Sequence, residues 1–76
     1  RLEEHAHRLA HHASLAGDHA KAMRFCVMAG EAAAALHANT ESAMHYSRAI
    51  DAAKQLGVAN EEIGRLEAKR TALSAD

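Results

Sequence analysis

The chain has no proline and no tryptophan, and it carries one phenylalanine and one tyrosine. Without proline nothing interrupts a helix from within, and so few aromatic and β-branched side chains leave little for a sheet to pack. The lone Cys26 excludes an internal disulfide and suits a reducing cytosol. Missing too is any excess of charge. Nine Lys and Arg stand interspersed with ten Asp and Glu, which gives no electrostatic footprint for nucleic acid or an acidic membrane. No stretch resembles a signal sequence or the roughly 20-residue apolar run of a membrane span, so a cytoplasmic protein is expected.

What is there is mostly alanine. Nearly half of the 76 residues are hydrophobic, and most of those are alanine, the best helix former and small enough for helices to approach closely. The large apolar side chains are few, led by Leu9, Phe25, Leu36, Tyr46, Ile50 and Leu66, so a narrow core is expected. Cys26, between Phe25 and Val27, reads as a packed thiol. The chain begins at Arg1 and is read as an excised fragment, with residues 1–76 forming one helical segment.

Punctuation recurs at intervals of about twenty residues: Gly17-Asp18, Ala38-Asn39-Thr40, and Gly57 through Asn60. Glycine ends a helix in the left-handed conformation, and Asp18, Asn39 or Thr40, and Asn60 are suited to cap the helix that follows. Four helices are predicted, over about 2–16, 19–37, 41–56 and 61–74. The first carries a stripe of Leu2, Ala6, Leu9, Ala13 and Ala16. The second is apolar nearly all round, as in a helix packed on two sides. The third presents Ala43, Tyr46, Ile50 and Ala53, and the fourth Ile63, Leu66, Arg70 and Leu73. Short connections make sequence neighbours antiparallel. The fold class is therefore all-α, as an open row of α-α hairpins, with a closed four-helix bundle as the alternative. The scarcity of large core residues favours the row.

Leu9-Ala10 before the Gly17-Asp18 turn, and Ala22, Phe25 and Ala29 after it, resemble a tetratricopeptide repeat (TPR). A looser second copy runs from Glu41-Ser42-Ala43 through Tyr46, Arg48, Ala49 and Ile50. Ala6, Ala13 and Ala34 depart from the large aromatic, tyrosine and proline that the family favours, and the copies lie about twenty rather than about 34 residues apart. The second helix would then serve both hairpins. Leu9-Ala10-His11-His12, Ala16-Gly17-Asp18, Lys21-Ala22 and Ala29-Gly30-Glu31-Ala32 also resemble the helical-repeat region following the ATPase module of large bacterial regulators, including cyclase-linked ATPases and transcriptional activators. That resemblance implies a sensing or scaffolding arm that binds protein or peptide, adjacent repeats, or another copy of itself.

Seven histidines raise the question of a metal. His7 and His11 are one helical turn apart and Glu3 extends the line, so these three side chains are the candidate ligands. An exposed helical stripe without an evident fourth ligand reads instead as surface imidazoles, and no metal or cofactor is expected. A small bundle binding a metal or small ligand through these histidines is the alternative function. Gly30 and Gly64 are solitary glycines read as marks of close helix packing rather than a phosphate-binding loop. Ser14, Ser42 and Ser47 have no base oriented by a third group and no oxyanion donor that the sequence specifies, so an enzyme is not expected. Met23, Met28 and Met44 are read as gap fillers, and Arg24, Arg48, Arg65, Lys69 and Arg70 as solvated charges.

Overall fold

The computed structural model describes residues 1–73. It consists of four helices, α1 (Leu2–Leu15), α2 (His19–Ala35), α3 (Asn39–Leu56) and α4 (Asn60–Leu73), and the expected end of the fourth at Ser74 lies outside the described residues. Each helix packs extensively on its neighbour in sequence, α1 on α2, α2 on α3 and α3 on α4, in an antiparallel succession.

One device ends the first three helices. Gly17, His37 and Gly57 have positive φ, at 74°, 59° and 82°. The amide after each reaches back to an alanine carbonyl: Asp18 to Ala13 at 2.9 Å, Ala38 to Ala33 at 2.9 Å, Val58 to Ala53 at 3.2 Å. Gly17, His37 and Gly57 themselves donate to Ser14, Ala34 and Lys54. This double return satisfies carbonyls left free at a helix end and turns the chain within three residues. It stops α2 at Ala35, two residues short of the expected His37.

The same turns decide the caps. Asp18 accepts from the Lys21 amide at 3.1 Å, as its position predicts. Asn39 and Thr40 do not cap α3: the N-cap residue is Ala38, which makes no side-chain cap bond, and both polar residues are already helical. Asn60 likewise is the first residue of α4, whose opening bonds run from Glu62 and Ile63 to the Ala59 carbonyl.

The core joins Ala10, Cys26, Tyr46, Ala49, Ile50, Ala53 and Leu66, with Phe25, Val27 and Ile63 among the half-buried residues against it. Two expected core leucines are displaced. Leu9 is only half-buried, and Leu36 is exposed because it lies in the turn beyond the end of α2. In α1 the buried stripe is Ala6, Ala10 and Ala13, while Leu2 and Ala16 face solvent. Alanine and glycine let the middle pair of helices meet closely. The Tyr46 ring lies flush against Gly30, where an added Cβ would stand 3.0 Å from Cε2. The Ser42 hydroxyl donates to the Gly30 carbonyl at 2.7 Å. Among the described residues nothing from elsewhere in the fold lies within 4 Å of where a Cβ at Gly64 would stand, so packing there does not explain that glycine.

Candidate functional site

A groove of about 460 Å³ runs between α1 and α3. Its walls are His7, His11 and Ser14 on one side and Arg48, Asp51 and Gln55 on the other, with Ala10, Cys26 and Ala52 at its floor and His19 beside them. The alanine stripe of α1 turned onto α2 leaves His7 and His11, one turn apart, on the adjoining exposed face. Two successive hairpin turns bring α3 back alongside α1, and Arg48 to His7.

Two polar contacts span these helices. The His45 Nε2–Glu3 Oε2 distance is 3.1 Å, and the imidazole is buried at 3% exposure. A carboxylate only accepts, so Nε2 carries the hydrogen of this contact. Nδ1 is buried and has no partner among the described residues. The second contact is Arg48 Nη1 to His7 Nδ1, at 3.3 Å. A guanidinium only donates, so this nitrogen of His7 is unprotonated when the contact is made. The His7 and His45 rings lie 5.4 Å apart between centroids, tilted by 57°.

The His7 pKa is lowered, first by desolvation and then by the charges of Arg48, His45 and His11, with Glu3 opposing. Burial pushes the Cys26 thiol up, Arg48 partly offsetting it, so the thiol at the floor of the groove stays protonated.

The proposed ligand line of Glu3, His7 and His11 does not form a shared site. Glu3 is drawn across to His45 and His7 to Arg48, and among the described residues no group of three His, Cys, Asp or Glu side chains is placed to hold a metal ion. His11 stays in the groove with His7, its ring 6.2 Å from that of His12. His45, Asp51 and His19 belong to this region and were not expected there; Arg48 was read as solvated, and it is an exposed residue that also touches His7.

A second groove, about 480 Å³, lies between α2 and α4, where Met23, Val27, Met28 and Leu66 meet Glu31 and Glu62. Lys69 and Glu31 approach to 4.0 Å nearby, both largely exposed. Met23 fills a gap beside the core as expected, but Met28 and Met44 stand exposed.

No helix among the described residues is long and apolar enough to cross a membrane. Compared with known proteins, the chain matches no family model, no curated protein and no solved structure.

Proposed function

We propose that this chain is a protein-interaction module, an open TPR-like row of helical hairpins whose faces and ends receive another protein surface. The distribution of burial carries this reading. The inner helices bury residues such as Cys26, Ala29 and Ala33 in α2, and Tyr46, Ala49 and Ile50 in α3. The outer helices bury little: three alanines in α1 and Leu66 in α4. A closed bundle would bury a stripe of large side chains on every helix.

Dimensions support the same reading. The Cα atoms extend 34 × 30 × 12 Å. Four helices in a square, with axes 8–10 Å apart and Cα cylinders of about 2.3 Å radius, would measure roughly 13–15 Å in both transverse directions. Two long dimensions and one short one suit a row. Its apolar side chains also remain available, with Leu2, Leu15, Leu36 and Leu56 all more than two-fifths exposed.

An open row completed by a neighbour gains stability by association. Thermal unfolding followed by circular dichroism over about a hundredfold protein concentration range is therefore expected to show a rising midpoint. Adding zinc after a chelator is expected to leave the midpoint in place. A monomer by sedimentation whose midpoint ignores concentration would sink the proposal, and a midpoint raised by stoichiometric zinc would return the function to the histidines.

A further inference from the structure

We infer that the free edge of the row formed by α1 and α2 pairs with the same edge of a second copy about a two-fold axis, Leu2 and Phe25 of each copy meeting Leu9 and Leu36 of the other. The inference rests on the interaction-module reading and names both a partner, a second copy of this chain, and the surface that receives it.

The helical repeat sets these four side chains on one edge. At about 100° per residue, Leu2 and Leu9 lie within about 20° of each other around α1, and Phe25 and Leu36 do so around α2. On α1 the opposite flank carries Glu3 and His7, which reach across to α3. On α2 the opposite flank carries Met23 and Val27, which line the groove shared with α4. The four apolar residues therefore lie on the flank turned away from α3 and α4. Leu2 and Leu36 are 59% and 63% exposed, and Leu9 and Phe25 are half-buried.

Charge decides what covers them. Between Leu2 and Leu9 this flank of α1 adds His5, and between Phe25 and Leu36 the flank of α2 adds Ala29 and Ala32. Lys21 lies one turn outside that stretch. A charged partner would lose hydration here without return. The other edge of the row, α3 and α4, carries Lys54, Glu67 and Arg70, so stacking head to tail would press those charges against leucine. The edge free of acidic and basic residues is matched by its own copy.

Position makes the edge self-complementary. The midpoint of Leu2 and Leu9 falls between His5 and Ala6, and that of Phe25 and Leu36 between Gly30 and Glu31. Ala13 shares a buried cluster with Ala22, and Ala10 with Cys26, so along the antiparallel pair Ala6 lies level with Ala29 and Gly30. The two midpoints thus stand at one height, and a single axis there serves both pairs, as an isologous contact requires. The edge measures roughly 20 Å each way, from the length of α1 and two helix widths, which is the low end of interface sizes and implies a weak, reversible dimer.

Sedimentation at about pH 7.5, over about a hundredfold concentration range reaching about 1 mM, tests the pairing. Expected is a monomer–dimer equilibrium without larger species, because an isologous contact closes on itself. Leu2→Lys and, separately, Leu36→Lys alter exposed positions and are expected to weaken the dimer about tenfold or more at unchanged circular dichroism, whereas Met44→Lys on α3 leaves it intact. Leu2→Lys combined with Leu9→Glu in one chain sets opposite charges face to face twice and is expected to recover part of the lost affinity. A monomer throughout, open-ended assembly, or a dimer indifferent to both Leu2→Lys and Leu36→Lys would overturn the inference. Association lost only in Met44→Lys would overturn it too, yet leave the interaction-module reading standing. A dimer broken by Leu36→Lys whose melting midpoint rises with stoichiometric zinc would do the reverse.

Discussion

Gly30 and Gly64 are both mid-helix glycines, and the sequence offered one reading for both. They differ only in what faces them. An alanine at 30 would place its Cβ 3.0–3.2 Å from three atoms of the Tyr46 ring, itself buried at 4% exposure, so the ring or the helix carrying it would have to give by a few tenths of an ångström. Overpacking of that kind costs about 1–3 kcal/mol, more than the roughly 1 kcal/mol of helix propensity gained. Gly30→Ala is thus expected to lower unfolding stability by about 1 kcal/mol, and Gly64→Ala, in open space on an exposed helix, to raise it by about 0.5–1 kcal/mol. Chemical denaturation of the two variants checks both signs, and a neutral Gly30→Ala would mean that the tyrosine yields freely. The clash partner was not legible in the sequence, because it depends on the register of two helices. For the same reason Glu3 gave no sign of its contact with His45: the contact needs two successive turns of fixed length.

At the scale of the helices, the sequence revealed most where glycine did the turning. Gly17 and Gly57 placed two helix ends to within a residue, and Asp18 announced its cap. The middle turn is the same turn with a histidine in the left-handed position, and there the expectation slipped at both sides of the break. A side chain at φ 59° pays a steric penalty of roughly 1–2 kcal/mol, part of which glycine returns through its freer unfolded chain. His37→Gly is expected to stabilise the protein by about 0.5–1 kcal/mol, measured as a shift in denaturation midpoint. A loss of stability would show that the exposed imidazole makes up for its backbone. An interval of about twenty residues was readable from the punctuation, and buried Ala6, Cys26, Tyr46 and Leu66 keep it. Leu36 shows the limit of such reading: one residue past a helix end, a leucine falls outside the core.

For the molecule as a whole, the all-α class and the four helices were legible, while the groove was not, because its two walls come from helices separated by an entire third one. Its electrostatics give stability a pH dependence of definite sign. His7 in the folded chain has a pKa below the ordinary 6.5, so below about pH 6.5 the unfolded chain binds more protons there. This contribution is whole above that pH and is lost as pH falls through the folded value. Exposure of the ring keeps it modest and lets salt screen it. Thermal midpoints of wild type and His7→Gln, compared from about pH 7.5 down to about pH 5 in low salt, are expected to converge or cross as wild type loses its relative advantage. A constant difference between the two would remove His7 from the pH response. The succession of neighbours, each helix resting on those adjacent to it in sequence, also bears on time. Each hairpin closes across a turn of three residues, and chains rich in such short-range contacts fold in microseconds to milliseconds. During synthesis, then, α1 and α2 can pair before α4 has left the ribosome, and each later helix can be added at the pace of translation.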